Sequence, residues 1–447
     1  MKTGSLNISY IATHNNRFEG RYYLNDFAYN SMIIERHSES CVKICELADA
    51  FNPPVFKRQF CREEGNSIAY YQSSDIATLQ RSNVFIFKYQ AEKLNLVVYE
   101  GDILIAGFGT VIGDTCIALK IHNGACFANN VCRLRTYDGV KKGYIAAFLK
   151  SKYGSSLLNN NASGSAIRYI EAPRIKQLLI PWLDDSIQDI ADNLMMKSIK
   201  LREEASDALN RAVNLFEEAI GPSKVNLKFN YQIINSELIS SKFCRFDSQY
   251  QIGKAQQTKF ANCKKIGSIA LKINIGNRGK RNYVKNGIPF LSSSDIMLAN
   301  PLRNCKYISK HTPSLSDMIV NKGDILISRS GTVGNTIIVG RTLSGVAVSE
   351  HAMRLVVDAN IISPEYVFAY FMTKHGHDAL QVLPYGSVIV TLGEDFLADV
   401  DLPILDQSKI NSITEHICSY IEKQDLSIEK ENKAIRMVEE EIEKWNN

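Results

Sequence analysis

Gly107-Phe-Gly-Thr-Val-Ile-Gly113 follows a strand-like apolar run, where a glycine-rich turn could offer backbone amides to a phosphate. A phosphate-binding turn should open a helix, but Asp114 to Ile121 reads as another strand. A hairpin-like turn with exposed backbone is expected instead. His375 and His377 come close to a metal pair, yet no third ligand accompanies them, and neither His-Glu-x-x-His nor Gly-x-x-x-x-Gly-Lys-Ser/Thr occurs. The strongest chemical signal is a basic loop. Lys272, Arg278, Lys280, Arg281 and Lys285 are threaded with glycine and asparagine, and long cations on a pliant backbone suit phosphate contact along a groove.

Asn52-Pro-Pro-Val55 comes near the Asn-Pro-Pro-aromatic pattern that holds a flipped adenine, but Val55 stands where the stacking ring would be. With no glycine-rich cofactor strand upstream, a plain loop turn is the better reading. The sequence therefore assigns no catalytic residue, no metal ligand and no cofactor-binding residue, and the chain reads as non-enzymatic.

What must position these loops is a duplicated unit. Gly101-Asp-Ile-Leu-Ile-Ala-Gly-Phe-Gly-Thr-Val111 recurs at Gly323-Asp-Ile-Leu-Ile-Ser-Arg-Ser-Gly-Thr-Val333, an offset of 222 with eight of eleven positions identical. The offset persists outward with small insertions, as a true repeat requires. Cys41-Val-Lys-Ile44 matches Cys263-Lys-Lys-Ile266, and Arg133-Leu134 matches Arg354-Leu355. Tyr144 to Gly154 matches Tyr366 to Gly376, and Pro181 matches Pro403.

Short apolar runs bounded by Gly, Asn and Ser predict strands over Asn83–Tyr89, Leu94–Tyr99 and Asp102–Ala106, and helical spacing predicts a helix over Lys141–Tyr153. The fold class is α+β. Two long helices follow the repeats. From Asp185, Ile187, Leu194, Leu201, Ala208 and Leu215 recur by sevens, with Ala191, Ser198, Ala205, Ala212 and Ala219 beside them; about 33 residues at 1.5 Å each span roughly 50 Å. At the C-terminus Ile421, Ile428, Ile435 and Ile442 recur by sevens, with polar Gln424 and Glu431 in the same seam. Large residues on one helix facing small ones on the other predict an antiparallel coiled-coil pair. The expected organisation is 1–184 domain, 185–221 helix, 222–404 domain and 405–447 helix.

A net charge of +5 permits a nucleic-acid partner without demanding one, and no run approaches the length of a membrane span. Ten cysteines without Cys-x-x-Cys pairs suit reduced thiols, and a cytoplasmic protein is expected.

The block Gly323 to Thr332, preceded by Gly287 to Ile296 and followed by Pro364 to Phe371, resembles the target-recognition domains of type I restriction-modification specificity subunits, and the alternation of domain and long helix resembles theirs over the whole chain. The resemblance implies two homologous target-recognition domains in tandem, reading a bipartite, asymmetric target on double-stranded DNA. It implies partners too: two adenine-N6 methyltransferase subunits and, in the restricting form, a restriction or translocase subunit. S-adenosylmethionine and ATP would then belong to those subunits. A fused methyltransferase or nuclease and a protein-only scaffold are the alternatives. Base reading needs donors and acceptors on loops. In the first domain the candidates are Gln72, Ser73, Asn129, Asn130, Ser165 and Arg168. In the second, Arg278, Lys280 and Arg281 are expected on phosphate, and Ser292, Ser293, Arg329, Ser330, His351 and Ser387 on groove or backbone. Asp102 and Asp324 are expected to cap the turn before their strands.

Overall fold

The computed structural model describes residues 8–13, 23, 26–79, 82–164, 168–226, 243–276, 278–386 and 390–446. The chain divides into two compact units, Met1–Lys200 with Glu429–Asn447, and Leu201–Ile428. Each is α+β.

In the first unit the main sheet is antiparallel, in the order Ala48–Phe51, Val131–Thr136, Ile103–Ala106, Thr115–Ile117. A second sheet orders Phe60–Cys61, Phe85–Phe87, Ser67–Tyr71 and Cys126–Phe127, the last pair parallel. Cys41–Lys43 pairs with Leu179–Pro181. The second unit repeats this topology strand for strand. Its main sheet runs Ala270–Ile275, Ala352–Val357, Ile325–Ser328, Thr336–Ile338, its second sheet Tyr283–Val284, Lys306–Ile308, Ile288–Leu291, Ala347–Val348, and Cys263–Lys265 pairs with Asp401–Pro403. Burial explains why the strand before the repeated glycine turn is the best preserved segment. Ile103–Ala106 and Ile325–Ser328 are central strands, buried at every position, so they read as continuous apolar runs rather than alternating ones.

Two local expectations need correction. Leu94–Tyr99 is not a strand: it contributes one bridge, Val97 to Cys126, beyond a short helix Lys88–Lys93. The single helix expected over Lys141–Tyr153 is two, Lys142–Lys150 and Lys152–Asn160, broken at Ser151, whose hydroxyl caps the second by accepting from Gly154 N. The break brings backbones together so closely that a Cβ on Gly154 would lie 2.1 Å from Phe148 O. Thr373 and Gly376 build the same break between Pro364–Met372 and Lys374–Val382. Helical spacing continues across both joints, which is why the pattern conceals them.

The long helices run Asp185–Ile220 and Gln407–Glu443. The first unit's core holds Ala191, Met195 and Ile199 from the start of one and Ala434, Ile435, Val438 and Ile442 from the end of the other. The second unit's core holds Ala212 and Phe216 with Ile410, Ile413, Ile417 and Ile421. The fully buried residues of Asp185–Ile220 include the small ones Ala191, Ser198, Ala205 and Ala212 together with Phe216, while Ile187, Leu194 and Leu215 are partly exposed.

Corresponding contacts recur in each unit, one from a short helix to the strand before a long helix and one from a short helix to a long helix. Tyr144 Oη donates to Pro181 O at 2.5 Å and Tyr366 Oη to Pro403 O at 2.8 Å. Lys152 N donates to Glu439 Oε1 at 2.6 Å, and Lys374 N to Glu217 Oε1 at 2.7 Å. Both amides lie in the first turn of their helix, where carboxylates satisfy the free N–H groups.

Candidate nucleic-acid interface

In each unit three loops meet at one end of the main sheet, beyond its central strand. The first is the turn leaving that strand. Gly107 N donates to Asn130 O at 3.0 Å, Ile170 N donates to Gly107 O at 2.9 Å, and Gly109 N donates to Arg168 O at 2.9 Å. The turn therefore sits between the loop at 128–131 and residues 168–170. In the second unit Arg329 N donates to His351 O at 3.0 Å and Leu392 N to Arg329 O at 2.9 Å. The backbone frame is the same. Single bridges extend it, Phe108 to Tyr169 and Ser163 to Tyr169 in one unit, Ser330 to Thr391 and Tyr385 to Thr391 in the other. The glycine turn opens no helix of α length; a single 3-10 turn, Gly109–Val111, leads into the next strand.

A further loop begins at Gln72 and Ser292. Gln72 N donates to Asp75 Oδ2 at 2.7 Å, and Ser292 N and Oγ both donate to Asp295 Oδ2, at 2.8 and 2.7 Å. These are carboxylate-closed turns. Ser73 Oγ accepts from Asn130 Nδ2 at 3.4 Å, which ties this loop to the one at 128–131. Asn52 Nδ2 donates to Asn129 O at 3.3 Å while its Oδ1 accepts from Ala172 N at 2.7 Å, so the Asn-Pro-Pro segment braces the loops from behind.

The structure thus gathers Gln72, Ser73, Asn129, Asn130 and Arg168 at one end of the first unit, and Ser292, Arg329, Ser330 and His351 at the matching end of the second. Ser293 is half-buried in the Ser292 turn. Ser165 and Ser387 lie outside the described residues. Arg168 turns its guanidinium onto the carbonyl of Asn159. Arg329 is 8% exposed, and its Nε donates to Leu392 O at 3.2 Å, so it braces the segment that carries Leu392. In the basic loop Arg278 and Lys280 are exposed. Arg281 is different: it pairs with Glu350 and lies over the Phe290 ring at 4.9 Å. Glu350 also sits 3.7 Å from His351 Nε2.

At the other end of the central strand, Asp102 and Asp324 close their turns, accepting from Tyr99 N at 3.1 Å and Asn321 N at 2.8 Å. Burial raises the Asp324 pKa against the opposing pull of Asn321 N and Arg354. The ion pairs are distributed differently. Arg133 and Arg354 occupy equivalent register, opposite Leu104 and Leu326. Arg354 Nε meets Asp324 at 2.7 Å. Arg133 instead donates to the carbonyls of Asn95, Val97 and Phe127, and Arg135 takes the carboxylate of Asp102 at 2.9 Å. Desolvation lowers the pKa of Arg133 to about 10.

Sequence reasoning missed the aromatic rings here. Phe108, Tyr169 and Tyr385 are 41–44% exposed on the bridged segments, and Tyr283 borders the basic loop at 53%. Exposed rings beside cations and amides can stack on bases or pack on sugars. Only Phe108, set between Gly107 and Gly109, carried a sequence signal; Tyr169, Tyr283 and Tyr385 have no shared setting that the spacing of apolar runs would register.

No protein-family model and no curated protein sequence matches the chain. Solved structures are similar to it, among them three at 13% identity. The S subunit of a type I restriction-modification system from M. genitalium aligns over 91% of this chain and 95% of its own, with a TM-score of 0.36. The HsdS subunit from Thermoanaerobacter tengcongensis aligns over 90% and 95%, at 0.28. A structure concerning complex assembly and conformational transition of the type I R-M system aligns over 90% and 97%, at 0.28. Among the proteins this chain is similar to are thus specificity subunits of type I restriction-modification systems.

Proposed function

We propose that the chain is a DNA-specificity subunit of a type I restriction-modification complex, without catalytic chemistry of its own. The observation that carries this reading is the frame present in both units with different side chains on it. Gly107 and Arg329 make the same two backbone hydrogen bonds, while their side chains and those of Phe108 and Ser330 differ. A constant scaffold with diverged loop residues is what two readers of two different half-sites require.

The target in this reading is bipartite and asymmetric, on double-stranded DNA. The two long helices pair antiparallel as a coiled coil and act as a ruler; 36 residues at about 1.5 Å each give a strut of roughly 54 Å, on the order of one to two turns of duplex. The chain would position two adenine-N6 methyltransferase subunits and, in the restricting form, a translocating nuclease, with S-adenosylmethionine and ATP bound by those partners. Exposed Arg278 and Lys280 serve phosphate contact. Purified with its methyltransferase, the complex should bind DNA with strong salt dependence and methylate adenine at two-part sites. Methylation by the isolated chain supplied with S-adenosylmethionine would favour a fused enzyme, and salt-independent or absent DNA binding would favour a protein scaffold.

A further inference from the structure

Lys150 ends the helix Lys142–Lys150 inside the first unit, where its Nζ donates to Glu431 Oε1 at 3.1 Å; the two side chains are 9% and 0% exposed. Glu431 lies on Gln407–Glu443 beside Ala434 and Ile435 of the same core. The repeat offset of 222 carries these positions to Met372 and Leu209, both packed against the core of the second unit. The alignment is anchored close by, because the Lys152–Glu439 and Lys374–Glu217 contacts obey the same offset. One interior therefore holds an ion pair where the other holds two apolar residues.

A buried ion pair adds little net stability over a well-packed apolar pair, but removing one partner from it is strongly unfavourable. Duplication gives that asymmetry a use. Two similar domains and two similar helix surfaces permit wrong dockings, above all between second copies of the chain, in which like halves meet. A first domain seated on the helix half bearing Leu209 would bury the Lys150 ammonium against a leucine. A second domain seated on the half bearing Glu431 would bury that carboxylate against Met372. We propose that Lys150 and Glu431 form a pairing key: they assign each domain to its own helix half and reject the homotypic docking of one chain on another. The inference is independent of what the units bind.

The test uses the full-length chain, refolded from denaturant over a range of concentrations, with mass read by light scattering after size exclusion and stability by thermal unfolding. Wild type should refold to the mass of one chain. K150M/E431L copies the apolar pair of the second unit; it should fold, yet give a dimer fraction that rises with concentration, because selectivity on the order of a hundredfold or more has been removed. K150M and E431L alone should each melt below the double variant. Adding L209E/M372K to K150M/E431L transfers the pair to the second unit and should restore the single-chain mass. The proposal is overturned if K150M/E431L keeps the wild-type mass distribution at every concentration. A double variant that cannot fold also overturns it, since the second unit already folds around this apolar pair. So do single variants as stable as the double, and a transferred pair that leaves the dimer in place.

Discussion

Gly107 and Arg329 stand at one position of a backbone frame that occurs in both units, each donating its amide to a loop carbonyl and accepting an amide from the segment behind. Gly107 must stay small, because a Cβ there would lie 2.5 Å from Ile170 O. Arg329 has room, and its side chain runs back along Leu392.

Replacing Arg329 by alanine should cost about 1 kcal/mol of stability through the lost hydrogen bond. It should also relax discrimination in the half-site read by the second unit and leave the other half unchanged. Methylation profiles of wild type and R329A decide this, and equal relaxation of both halves would count against separate readers.

Arg278 and Lys280 are exposed, whereas Arg281 is held by Glu350. If the first two meet phosphates, R278A/K280A should flatten the plot of log affinity against log salt by about 2, at roughly 0.9 per phosphate contact. R281A should leave the slope nearly unchanged and lower the melting temperature instead. Binding isotherms of the complex at four or five salt concentrations give the slopes.

The Tyr144 and Tyr366 hydroxyls make corresponding buried contacts with Pro181 and Pro403. Y144F and Y366F should each cost about 1 kcal/mol, and the double variant about 2, because distant sites add. Chemical denaturation of the four proteins measures this, and a strongly non-additive double variant would contradict independent units.

His122 is buried between Tyr71 and Phe127, its Nδ1 accepting from Leu119 N at 3.1 Å. Burial lowers its pKa from 6.5 to about 4. The unfolded chain thus takes up the proton first as pH falls, so the stability due to a neutral His122 is complete above 6.5 and is lost between 6.5 and 4, by roughly 3 kcal/mol. Replacing His122 with glutamine should flatten that limb of the pH–stability curve; an unchanged slope would exclude His122 as its source.

The sequence made the duplication legible because its most buried strand tolerates little change: Ile103–Ala106 and Ile325–Ser328 touch protein on both faces. Sevenfold spacing likewise exposed both long helices. It could not rank their seams, since the small Ala191, Ser198, Ala205 and Ala212 are fully buried while the larger Ile187, Leu194 and Leu215 are partly exposed. The breaks at Ser151 and Thr373 stayed hidden because the same side chains remain apolar across them. Among the candidate contacts, the spacing of Arg278, Lys280 and Arg281 marked them as one basic group. Only the fold separates them, by bringing Glu350 to Arg281 from a distant strand end. Arg329 looked like a free cation for a similar reason, its acceptor lying 63 residues away.

Whether one chain carries two readers of different half-sites is decided by methylome sequencing of a host carrying this gene with a cognate methyltransferase. Two readers should give adenine methylation at a motif of two unlike specified parts separated by unspecified bases. A single continuous motif, or a palindromic one, would contradict it.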